Sequence, residues 1–170
     1  MAFNTTAGQT IARELLIAYL NTGTSSTPVW SVLGSRVEDS SQEYDWSDES
    51  STDILGVTRT TMKKPVVTQT FEPALDAGEV AYTFLWEKAI RDQDYNALAS
   101  QDILIVHCYE GTAATAMFAE RYDASAIKVT SLGGEGGGVI NMPFDVTYGG
   151  TRTKGTAAID AGVVTFTPVP

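Results

Sequence analysis

Residues 139–148 read VINMPFDVTY, the strictest alternation in the chain. Successive side chains of a strand point to opposite faces. An extended backbone here therefore puts Ile140, Met142, Phe144, Val146 and Tyr148 on one side, and Val139, Asn141, Pro143, Asp145 and Thr147 on the other. A strand buried on one face follows, and its neighbours extend the pattern. GTAAIDAGVVTFTPVP (155–170) predicts a closing hairpin that turns at Asp160, Ala161 and Gly162. FAERYDASAIKVTSL (118–132) supplies one longer or interrupted strand, and the continuous apolar run DILIVHCY (102–109) suits a central one.

Towards the N-terminus, RELLIAYL (13–20) fits a helical face through Leu16, Tyr19 and Leu20, or a strand through Leu15, Ile17 and Tyr19. The turn-rich NTGTSSTP (21–28) and β-rich VWSVLGSRV (29–37) decide for an antiparallel hairpin. ILGVTRTTMKKPVVTQTFEP (54–73) predicts one or two strands, interrupted at Pro65, which cannot donate to a ladder. One helix is expected over about 76–91. Asp76 is its N-cap, Glu79 closes a capping box, and Leu75 and Val80 form the staple. Four-residue recurrences (Val80 with Phe84, Ala81 with Leu85 and Ala89, Trp86 with Ile90) give that helix an apolar face to lay on a sheet, and Arg91 near its end complements the helix dipole. The class is mainly β, in a single domain spanning 1–170.

Between the early strands lies EDSSQEYDWSDESSTD (38–53), with seven carboxylates and no basic residue. It reads as a long acidic loop. Asp45, Asp48, Glu49 and Asp53 are oxygen donors close in sequence, yet they lack the spacing and turn glycine of a calcium loop. A solvated loop and a protein-contact loop are the other readings. Tyr44 and Trp46, aromatic anchors in a polar stretch, favour contact. The basic groups Arg59, Lys63 and Lys64, and Arg152 with Lys154, are opposite charges that copies of the chain could offer one another.

The glycine run SLGGEGGG (131–138) is no phosphate cradle. Val139 and Ile140 follow its last glycine where a lysine and a hydroxyl opening a helix are needed, and Val139 takes the third glycine position of a dinucleotide fingerprint. Glu135 at its centre would repel phosphate. A turn using glycine's conformational freedom is the simpler reading. His107 and Cys108, the only histidine and cysteine, are strand neighbours pointing to opposite faces, so they do not form a nucleophilic pair. No GxSxG elbow is present, and no enzyme, cofactor or metal site is expected.

The 170 residues carry 21 acidic and 11 basic side chains, a net charge of −10, which argues against binding nucleic acid by phosphate neutralisation. A single cysteine suits a reducing compartment. MAFNTTAGQT lacks the basic and apolar regions of a secretory signal, and no apolar run approaches the roughly 20 residues of a membrane span.

In order along the chain, VWSVLGSRVEDSSQEYDWSDESSTDILG, KPVVTQTFEP, DAGEVAYTFLWEKAI, LGGEGG and YGGTRTKGTA resemble the major tail (tail tube) proteins of long-tailed bacteriophages. The resemblance implies a β-sandwich or barrel-like subunit with a flanking helix, assembling as hexameric rings that stack into a hollow tube. It implies that the loop at about 38–62 reaches the adjacent ring, with Tyr44, Trp46, Asp53, Ile54 and Leu55 as candidate contacts. It further implies tape-measure, terminator and initiator partners, DNA that passes without specific binding, no membrane, and assembly in the bacterial host cytoplasm into the virion tail. Glu135 and Asp145 are candidate acidic groups of the lumen. Tubes of contractile tails, phage-tail-like bacteriocins and type VI secretion systems share this reading. A carbohydrate-binding sandwich using Trp30, Trp46 or Trp86 is the alternative of another class.

Overall fold

The computed structural model describes residues 6–169. Residues 1–5, part of the stretch read above for a secretory signal, and residue 170 lie outside the described region. The chain is mainly β. A short turn of 3-10 helix (Arg13–Leu15) leads into β1 (Leu16–Asn21), which pairs antiparallel with β2 (Trp30–Leu33), as the turn-rich link between them requires. β2 stops at Leu33 because Gly34 and Arg36 take positive φ (106° and 55°), a conformation that ends a strand.

β3 (Gln42–Asp45), β4 (Glu49–Thr52), β5 (Thr58–Thr61) and β6 (Val66–Phe71) follow, then the helical segment, β7 (Gln101–Thr112), β8 (Ala116–Val129), β9 (Phe144–Tyr148), β10 (Arg152–Asp160) and β11 (Val163–Pro168). The main sheet runs β2-β1-β7-β8-β9-β6-β3, with β10 and β11 branching from β8.

That branch organises the molecule. The first half of β8, Met117–Tyr122, pairs with β10, and its second half, Ala126–Val129, pairs with β9. The link from β9 to β10 crosses β8 between the two halves. Gly150 makes the crossing possible, since its φ is +74° and a Cβ there would lie 2.1 Å from Asp123 Oδ1. Asp123 in turn accepts from the amide of Thr151. β11 then returns against β2, so the β2-β1-β7-β8-β10-β11 run curls towards a barrel.

Two apolar clusters result, on opposite faces of β1, β7 and β8. Ala18, Leu20, Ile103 and Ile105 pack with Val67, Phe71, Phe144, Val146 and the helix. Tyr19, Leu104, Val106, Cys108 and Met117 pack with Trp30, Ala157 and Val164. Continuous ILIV in β7 is what a strand covered on both faces demands.

Three expectations need correction. The helix α1 (Val80–Trp86) starts four residues after Asp76. Gly78 at φ +102° breaks the first turn, Asp76 is held by Arg36, and the Glu79 carboxylate accepts from Ser35 instead of closing a capping box. Its buried face is Ala81, Tyr82 and Leu85, whereas Val80, Trp86 and Ile90 are exposed. A π-helical turn (Glu87–Arg91) and a short α2 (Tyr95–Leu98) continue it. Secondly, Ile140 is 57% exposed. It belongs to the glycine loop, which Gly133 and Asn141 close by mutual backbone bonds, and the strand starts at Phe144. Thirdly, the segment 38–62 is not simply a loop, because it contains three strands.

Candidate assembly surface

β3 lies on the edge of the sheet against β6, with Asp45 opposite Val66. The ladder does not end there. The amide of Lys63 donates to the carbonyl of Trp46, and beyond it Glu49 faces Thr61 and Thr52 faces Thr58. The two chains thus leave the sheet as a two-stranded ribbon with every residue of β4 and β5 exposed. Ser50 meets Thr60 and Thr52 meets Thr58 through hydroxyl bonds of 2.8 and 2.9 Å, and Lys63 pairs with Glu49. An isolated hairpin is marginal in water. This one has no apolar face of its own.

At the tip, Asp53 builds the turn. Its Oδ1 accepts from the amides of Leu55 and Val57 at 2.9 and 3.0 Å, and its Oδ2 from Arg59 at 2.8 Å. The bond from Val57, with those from Leu55 and Arg59, outweighs the opposing effect of desolvation and holds the carboxyl below its ordinary range. The turn it builds presents Ile54, which is fully exposed, and Leu55, 83% exposed. At the base, Tyr44 and Trp46 stack at 6.5 Å and are 52% and 46% exposed. The calcium reading fails geometrically. Asp45 caps the amide of Ser47, Glu49 takes Lys63 and Asp53 closes its own turn, so the oxygens do not converge.

Glu135 and Asp145 lie elsewhere. Glu135 is exposed in the glycine loop, where its carbonyl accepts from Gly138. Asp145 sits on the outer face of β9 between Thr70 and Lys128 in register, and accepts from the Thr70 hydroxyl at 2.8 Å. The proposed basic patches are largely consumed within the chain, since Arg59 serves Asp53, Lys63 serves Glu49 and Arg152 serves Glu120. Lys64 and Lys154 are in no ion pair among the described residues.

Sequence reasoning missed a polar cluster beneath the ribbon's base. Glu120 accepts from Arg152 at 2.7 Å and from the Tyr122 hydroxyl at 2.9 Å. His107 places Nε2 3.3 Å from the other carboxylate oxygen, poorly aligned for a hydrogen bond, while its Nδ1 meets the Tyr109 hydroxyl at 2.7 Å. Burial would raise the Glu120 carboxyl, but His107, Arg152 and Tyr122 outweigh it and hold it well below the usual range. Burial and the Glu120 charge push the Tyr122 phenol up. The only local signal was Glu120 sharing a strand face with Phe118 and Tyr122.

The sign of the pH effect follows. A carboxyl whose folded pKa is depressed favours the folded state above the ordinary carboxylate range, and that contribution fades as pH falls through this range towards the folded value. Glu120→Gln should therefore flatten the fall of the urea midpoint between roughly pH 6 and pH 3. An unchanged slope would remove Glu120 from the acid response.

Neither a family model nor a curated protein matches the sequence. Solved structures do match the fold. A chain of the sheath/tube terminator of an extracellular contractile injection system, PVC, in the extended state superposes with a TM-score of 0.56, covering 88% of this chain and 99% of that one at 10% identity. The fold is tail-tube-like. A chain of the sheath-tube complex of that system gives 0.51, with 88% and 94% covered at 11% identity. One from the tube terminating cap of the anti-feeding prophage gives 0.53, with 91% and 96% covered at 14% identity.

Proposed function

We propose that this chain is a structural subunit that assembles with copies of itself into the hollow tube of a phage tail or phage-tail-like particle. The observation that carries the reading is the ribbon, whose apolar tip packs on nothing among the described residues. The fold shared with sheath-tube and terminator components supports it.

In its finer form, the subunit is the major tail protein of a phage with a non-contractile tail. Hexameric rings stack around a tape-measure protein between an initiator complex and a terminator, are assembled in the host cytoplasm and are carried in the virion. Glu135 and Asp145 face the lumen in this reading, and a net charge of −10 lets DNA slide past without adhering. The role is structural, not enzymatic. The named neighbours favour a second reading, a tube or terminator component of a contractile system. A carbohydrate-binding role has lost one of its platforms, because Trp30 is buried beneath Arg121, whereas Trp46 and Trp86 remain exposed.

Negative-stain microscopy and sedimentation of the purified chain across a concentration series test the proposal. Wild type should give rings or hollow tubes of uniform diameter. Tyr44→Ala with Trp46→Ala should keep the far-UV spectrum and lose tube growth, since both rings are half exposed. Undiminished growth of that variant would remove the aromatic pair from the contact. A wild type that stays monomeric and binds glycans would favour the sugar-binding alternative.

A further inference from the structure

A cleft of about 520 Å³ opens to solvent beside the ribbon's base. Small-molecule sites span about 300–1,000 Å³, so the cleft has the size of one. Tyr44 and Trp46 form one wall, half-exposed and with ring planes within 20° of each other. Glu120, Tyr122 and Tyr148 line it further in, with Lys64 among the residues around them.

The cleft holds one acceptor that its own chain leaves unused. Glu120 is 9% exposed, and both hydrogen bonds to its carboxylate, from Tyr122 and Arg152, fall on Oε2. Oε1 has only the misaligned His107 Nε2 at 3.3 Å, and accepts no hydrogen bond among the described residues. A buried carboxylate oxygen left without a donor is costly. Because Glu120 lines the cleft, a group seated there can supply that donor.

Charge sets the chemistry of the donor. Arg152 already neutralises Glu120, and Lys64, in no ion pair among the described residues, adds a positive charge. A second ammonium would meet Lys64 with no carboxylate left to balance it, whereas a neutral hydroxyl meets no such repulsion. Lys64, which can only donate, needs an oxygen from the same occupant. The aromatic wall asks for a ring with an apolar face. A pyranose has C–H bonds across one face and hydroxyls around its edge.

We propose that this cleft binds a neutral pyranose of a glycan, its C–H face on Trp46 and Tyr44, one hydroxyl donating to Glu120 Oε1 and another accepting from Lys64. This goes beyond the assembly reading and does not rest on it.

Two-dimensional NMR tests the proposal at concentrations where the chain is monomeric, with maltotriose, cellotriose and N-acetylated chitotriose as probes. The three tryptophans give three indole N–H signals, assigned with Trp46→Phe and Trp86→Phe. At least one probe should move the Trp46 signal saturably in the millimolar range and leave that of Trp86 in place. Trp46→Ala should abolish binding and keep the melting temperature, since the ring is half-exposed. Lys64→Ala should weaken binding about two- to tenfold, the worth of one hydrogen bond. No saturable shift with any probe, a response at Trp86 instead, or undiminished binding by Trp46→Ala would each overturn the assignment. Sedimentation judges the tube reading separately, so either can fail alone.

Discussion

Replacing Ile54 and Leu55 together by aspartate is expected to abolish assembly and leave the monomer's melting temperature where it is. The two halves of that result come from one fact. Both side chains are exposed on a ribbon that touches no core, so the monomer loses no packing when they change. In an assembled state each would be taken out of water. Burying one large apolar side chain stabilises by about 1.5–3 kcal/mol, hence about 3–6 kcal/mol for the pair at each contact. Aspartate removes that gain and sets a charge in its place, with a desolvation cost on top. Repeated at every contact of a stack, the loss leaves no polymer at concentrations where wild type forms one. Sedimentation velocity reads the assembly and a thermal melt reads the fold. A variant that sediments like wild type would show the tip to be idle, and a lowered melting temperature would show it packed on its own chain.

Phe144→Ala is expected to have the opposite signature, with stability falling by about 3–5 kcal/mol in urea denaturation. Phe144 is fully buried, its ring stacks on Phe71 at 5.1 Å, and Tyr82 of the helix lies 6.2 Å away at 58°. Removing the ring opens a hole where sheet and helix meet, and β9 cannot follow the collapse because it is hydrogen-bonded on both sides, to β6 and β8. Domains of this size are stable by only about 5–15 kcal/mol, so the variant should sit close to unfolding at physiological temperature. A change below about 1 kcal/mol would contradict this packing.

What could be read in advance was whatever the apolar pattern encodes. The alternation in VINMPFDVTY marked β9, the ILIV run marked a strand covered on both faces, and AIDAGVV marked the last turn at Asp160–Val163, where Ala161 and Gly162 adopt φ of 47° and 85°. The ribbon escaped because a hairpin exposed on both faces has no hydrophobic period to show. Its trace was subtler: serines and threonines mirrored about the DILGV turn, so that Ser50 and Thr52 meet Thr60 and Thr58. The helix start was misjudged because Asp76 and Glu79 are engaged by Arg36 and Ser35, 40 and 44 residues away in sequence. The Glu120 cluster was hidden for the same reason, as Arg152 lies 32 residues downstream. Of the contact candidates, Tyr44, Trp46, Ile54 and Leu55 fall on the ribbon's base and tip, while Asp53 shapes the turn. Sequence spacing alone does not separate a residue that touches from one that positions.

β8 belongs to two pairings at once, giving its first half to β10 and its second to β9. A strand at the margin of one sheet can peel away while the rest persists, but this strand has no such freedom. Lifting it from either partner removes a wall from both apolar clusters, which line its opposite faces through Ile127 and Tyr122 on one and Met117 and Ala119 on the other. The curled half and the flat half are consequently welded into one cooperative unit. A pull applied anywhere along the ribbon, which springs from the β3–β6 edge, is passed through β9 to β8 and shared by the whole subunit.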